Sequence, residues 1–121
     1  MAGLEIRNVS SPDETRPFTD GKGQACVVQV AGQPVLYGTF EPGWRWSGTV
    51  RPIAGTDSCQ ATHLFYCISG RMHVVMDDGT EGEIGPGDIA SIPPGHDAWI
   101  VGDEACVGVD WGGSASYAKP S

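Results

Sequence analysis

Positive charge is scarce in this chain: Lys and Arg number 7 of 121 residues against 15 for Asp and Glu, a formal net charge of -8. So acidic a polymer is repelled by nucleic-acid phosphate and by anionic membrane surfaces, which sets both partners aside. Long apolar runs are also missing. Nothing approaches the roughly 18 apolar residues that a membrane helix needs, and the opening MAGLEIRNVSSPDE carries acids where a secretory leader carries an apolar block. A cytoplasmic protein is the expectation. No CxxC pair occurs among Cys26, Cys59, Cys67 and Cys106. A metal-finger reading therefore fails, and a disulfide framework is disfavoured in a reducing compartment. Nor does a helical period survive ten residues anywhere.

What is present is punctuation. With 18 glycines and 9 prolines, short apolar segments such as ACVVQVA, PVLYGTF, HLFYCIS, MHVVM, DIASI, AWIV and ACVGVDW are separated by turn-forming stretches. Asp78-Gly79 between two strand-like runs is a strong hairpin signal, and Gly85-Pro86-Gly87 is a second sharp reversal. Residues 1–23 are polar, lack an amphipathic period and read as an arm that either wraps the domain or pairs with a second subunit. Residues 24–121 read as one all-β domain. At least seven short strands point to a closed barrel or a double-sheet jelly roll, because a single sheet would leave open edges and a solvated apolar face. An immunoglobulin-like sandwich is the alternative, weakened by the lack of a cysteine pair flanking a tryptophan.

The stretch GDIASIPPGHDAW, Gly87 to Trp99, resembles the second signature of the cupin superfamily: a Gly-Asp turn, an apolar strand, and a Pro-x-Gly turn into a strand that carries a metal ligand. The family's first signature has two histidines one residue apart, then an acid, then a glycine seven residues later. With Gly70 as that glycine, His63 stands where the acid belongs, and Cys59 and Asp57 stand where the paired histidines belong. In the second signature the usual histidine falls at Ala98, while His96 lies two residues earlier. The resemblance covers roughly Val35 to Trp111 and implies a single-domain cupin-type jelly-roll β-barrel with a pocket in its mouth. It also implies a divalent metal held by Asp57, Cys59, His63 and His96. Carboxylate, thiolate and two imidazoles suit zinc best, with iron, nickel or copper as alternatives.

Each of these residues has a plainer reading. Asp57 in GTDSC can serve its own turn. Cys59 can be a buried small hydrophobe or a disulfide partner of Cys106, His63 a core histidine and His96 a surface turn residue. A second group is aromatic: GWRWS puts Trp44 and Trp46 on one strand face and Arg45 on the other, giving an apolar wall with N–H donors. Tyr66, and Cys67 by its parity with His63, complete the expected pocket. His73 reads as an ordinary strand residue.

Two functions compete. The first is a metal-dependent enzyme of isomerase, cyclase or lyase type acting on a small organic molecule, with Asp57 as general base if it is not a ligand. The second is a non-catalytic binding or sensor module with a structural metal. Oxygen chemistry is less supported, because the paired histidines are absent. A homodimer is expected from the arm and the need to protect edge strands.

Overall fold

The computed structural model describes residues 3–112, so the last nine residues of the expected 24–121 domain lie outside the described part. Among the described residues there are nine strands: β1 (Glu14–Pro17), β2 (Gly23–Val30), β3 (Gln33–Phe40), β4 (His63–Ser69), β5 (Met72–Met76), β6 (Glu81–Ile84), β7 (Ile89–Ile92), β8 (His96–Ile100) and β9 (Cys106–Asp110). The longest α-helix among the described residues is the four-residue α1 (Arg51–Ala54), which continues a wide helical turn over 46–50. No helix there is long and apolar enough to cross a membrane.

The strands form an antiparallel jelly roll of two facing sheets, one in the order β1-β2-β3-β9-β4-β7 and one in the order β6-β5-β8. The two layers do not close into one hydrogen-bonded ring. Both reversals read from the sequence are there. Gly79 turns the β5–β6 hairpin at φ 92°, a left-handed conformation that costs a residue without a Cβ little. Gly87 does the same between β6 and β7 at φ 89°.

Strand alternation decides what faces the interior. In β4, His63, Phe65 and Cys67 are buried, while Leu64, Tyr66 and Ile68 point outward. In β8, His96, Ala98 and Ile100 point inward. Between the sheets lies a core of Phe18, Leu36, Phe40, Trp44, Trp46 and Phe65, extended by Met72, Val74 and Ile92. Phe40 links its halves, with ring centroids 4.8 Å from Trp44 and 6.1 Å from Phe65. The polar arm lies along its own domain. β1 pairs with β2, the Arg7 guanidinium donates to the Gln29 carbonyl at 3.0 Å, and Arg7 meets Asp13 at 2.9 Å.

One glycine fixes the spacing of β9 against β4. A Cβ on Gly108 would overlap the Phe65 ring and lie 2.7 Å from the Tyr66 carbonyl oxygen. Gly108→Ala should therefore cost about 1–3 kcal/mol by overpacking. Urea denaturation checks this, and an unchanged midpoint would show that the two strands can separate freely.

Candidate metal centre

Three side chains from different parts of the chain meet at one end of the core. Cys59 lies outside any strand, but its backbone forms an isolated bridge with His96. The Cys59 amide donates to the His96 carbonyl at 2.8 Å, and the Gly95 amide donates to the Cys59 carbonyl at 2.7 Å. Residues 60–62 then cross to the other sheet, where His63 opens β4 opposite Ile92 of β7. Cys59 and His63 are only four residues apart, yet one is tied to the small sheet and the other belongs to the large one.

The donor atoms of Cys59, His63 and His96 all lie within 4.8 Å of one another, and all three residues are buried. The Cys59 sulfur is 3.6 Å from His63 Nε2, and the two imidazoles stand edge to face at 5.2 Å between centroids. Each ring is anchored from behind. His96 Nδ1 is 2.8 Å from the Pro93 carbonyl oxygen; that oxygen can only accept, so Nδ1 carries the proton. His63 Nδ1 donates to the Asp110 carboxylate. The other Asp110 oxygen accepts from the amides of Leu64 at 3.1 Å and Gly112 at 2.9 Å. Asp110 is thus held on both oxygens and cannot swing away.

Burial pushes the Cys59 thiol up, but hydrogen bonding from His63 and His96 and their charge outweigh it and bring the thiol down to about 6. Burial likewise lowers His63, and is outweighed by its hydrogen bonds to Asp110 and Cys59, which raise it to about 9. Without an ion, the pair rests as thiolate and imidazolium. From about pH 6.5 to 9 the folded pair and the unfolded pair each hold one proton, on different atoms. The thiol's gain in stability with rising pH then cancels the imidazole's loss.

Cys59→Ala removes that cancellation. A histidine held above its ordinary value stabilises most at low pH and loses that contribution as pH rises through its folded value. The metal-stripped variant should therefore lose up to about 1.4 kcal/mol per pH unit above pH 6.5, where the parent stays flat. Parallel slopes in chemical denaturation would refute the pairing.

Other expected residues fall elsewhere. Asp57 does not join the cluster: its side chain is fully exposed and pairs with Arg51 at 3.0 Å. The shared face expected for Asp57 and Cys59 requires a strand, but 56–58 form a bend closed by the Thr56 hydroxyl donating to the Ser58 carbonyl at 2.8 Å. Asp57 is therefore corrected from ligand or base to surface residue. Tyr66 lies on the outer face of β4, so it lines no inner pocket.

Cys67 does face inward, but four residues along β4 from His63, about 13 Å away. There its sulfur lies 3.6 Å from the Gly70 carbonyl and 3.8 Å from the Cys106 sulfur. That proximity also removes the Cys59–Cys106 pairing; all four cysteines are free. Trp44 and Trp46 are buried and line the cavity beside the cluster, together with His63, His96 and Asp110. His73 pairs with Glu81 at 2.8 Å away from the site. Asp110 is the residue that the sequence reading missed. Its signal was parity, because in CVGVD it shares the inward face with Cys106 and Gly108, an acid at an apolar position.

No family model matches the sequence, and no curated protein does either. Solved structures do match in fold. A Klebsiella pneumoniae protein with a double-stranded β-helix domain is 22% identical, with 95% of this chain and 94% of that chain covered at a TM-score of 0.58. KdgF from Halomonas sp. is 14% identical, covering 93% and 94% at 0.62. The polyketide cyclase RemF from Streptomyces resistomycificus is 15% identical, covering 93% and 80% at 0.62. The fold is thus cupin-like.

Proposed function

We propose that the chain is a metal-binding cupin-type protein whose Cys59, His63 and His96 hold a divalent ion, zinc first, and which acts on a small organic molecule by isomerase, cyclase or lyase chemistry. One observation carries this reading. Both imidazoles have Nδ1 committed to a fixed acceptor, while the buried Cys59 sulfur lies 3.6 Å from Nε2 of His63. Histidines that ligate metals are held in this way, because the bond at the far nitrogen sets tautomer and ring direction. A sulfur and two nitrogens are a donor set that zinc accepts and that harder ions disfavour.

Cys59, His63 and His96 would hold the ion, and Asp110 keeps His63 aimed at it. Phe40, Trp44, Trp46 and Phe65 give the cavity beside the cluster an aromatic wall. Asp110 is the one carboxylate among the described cavity residues, and it is spent on His63 and two amides, so it serves as a positioning group. When bound, an ion with three protein ligands supplies Lewis acidity and brings a bound water toward neutral pKa.

The saturated structural shell loses its fourth member with Asp57 on the surface, which favours chemistry over a purely structural ion. A polyketide cyclase of the same fold supports the enzyme class by analogy. The test is elemental analysis of protein purified without added metal, followed by zinc titration of the stripped chain. About one equivalent is expected. A chain that arrives empty and takes up no zinc would end the reading.

A further inference from the structure

Among the described residues, a single buried side-chain nitrogen or oxygen lacks a hydrogen-bond partner: the indole Nε1 of Trp44. Trp44 is 2% exposed and lines the cavity that also reaches the metal cluster. Buried donors in folded proteins are nearly always paired, and an orphan on a residue that lines a cavity points to something that enters it. Nearby, Phe18 and Phe40 fill the same region with plain phenyl rings, with centroids 5.8 and 4.8 Å from Trp44. An apolar filler would have served here without leaving a donor unpaired.

The cavity is polar at two places. One is the cluster at the start of β8. The other is Trp44, whose carbonyl oxygen accepts from the Ile100 amide at 3.0 Å at the end of the same strand. Four strand residues, about 13 Å of backbone, separate the two anchoring points. Apolar side chains, Leu36, Phe40, Phe65 and Met72, make up much of the wall besides. The space open to water centres is about 30 Å³, enough for roughly two waters or a ligand of a few heavy atoms.

We propose that this cavity takes a small carbonyl compound, a ketone or a short-chain carboxylate, whose oxygen accepts the Trp44 indole N–H while its apolar remainder packs against Phe40 and Phe65. This rests on the proposed function, in that the same cavity serves the metal cluster, and it names the substrate class for it. The wall offers no lysine or arginine to balance a carboxylate held at the indole, whereas a ketone needs no countercharge. The rival partner for the indole is the Phe40 ring, which stands at 73° to it. An aromatic face is a weak acceptor, and a carbonyl oxygen displaces it.

The test uses the full, zinc-loaded chain with ¹⁵N-labelled indoles, titrated with acetone, with acetate and with xenon. The Trp44 resonance is identified by its loss in Trp44→Phe. It should move downfield with acetone, acetate or both, and not with xenon, which fills apolar space and accepts nothing. Acetone alone would assign a neutral carbonyl, acetate alone a carboxylate. Trp44→Phe should bind the active probe about five- to tenfold more weakly, with metal content unchanged.

An indole resonance that no carbonyl probe moves overturns the inference and leaves the Phe40 ring as its partner, whether or not Trp44→Phe folds. Equal affinity in a folded Trp44→Phe overturns it too. A chain that binds no zinc defeats the proposed function instead, and in that sample the indole shift still decides the fate of the Trp44 site.

Discussion

Cys59→Ala, His63→Ala and His96→Ala should each bind zinc at least about a hundredfold more weakly than the parent chain, while Asp57→Ala binds it unchanged. The magnitude follows from zinc sites of four donors whose total binding free energy is about 10–16 kcal/mol, so that one donor accounts for roughly 3 kcal/mol or more. Removing Cys59 should be worst for zinc against harder ions, because thiolate is the soft member of the set. Competition with a chromophoric chelator reads all four variants on one scale. Three cluster variants with parental affinity would show that the ion, if any, sits elsewhere. An effect at Asp57 as large as at Cys59 would mean that the 56–58 bend rearranges to bring the carboxylate inward.

Asp110→Ala is expected to be the most damaging change outside Cys59, His63 and His96, in two separable ways. It strands the His63 Nδ1–H and the amides of Leu64 and Gly112, all of which donate to that carboxylate. Breaking such a buried pair costs about 3–5 kcal/mol, because the partner is left uncompensated. It also frees the His63 ring to rotate, for which a loss of about 10- to 100-fold in metal affinity is typical. Asp110→Asn keeps the shape and one accepting oxygen, so it should recover much of the folding stability and less of the affinity. Chemical denaturation of stripped protein and zinc competition measure the two effects independently. An Asp110→Ala chain as stable as the parent would show that His63 is held by packing alone.

Much of the fold was legible because turns are written locally. Asp78-Gly79 and Gly85-Pro86-Gly87 fixed two reversals, and parity with His63 put Cys67 on the inward face of HLFYCIS, although Tyr66, expected in the same pocket, lies on the outer one. The site was legible where residues lie on strands. His63 and His96 open β4 and β8; the resemblance put His63 at a ligand position, and His96 was reached from Ala98, two residues along the same strand. It was obscure where the chain leaves the strands. The two-residue rule joined Asp57 to Cys59, but a bend obeys no such rule, and the sulfur points inward because of a bridge to residue 96, a contact with no local signature. Asp110 was hidden for a different reason: its partner lies 47 residues away, and nothing in CVGVD says which neighbour a buried acid will find. Likewise, parity put Cys67 on the correct face of β4 but gave no distance along it.

The crossing at residues 60–62 makes the cluster a clasp. Because Cys59 is stitched to the three-stranded layer and His63 begins a strand of the six-stranded one, prising the layers apart pulls the donors of a shared ion away from each other. Loading and layer separation are then opposed, and each tenfold excess of free ion over its dissociation constant adds about 1.4 kcal/mol to the work of opening. With an ion bound there, the stability of the closed sandwich would depend on how much metal the surroundings supply.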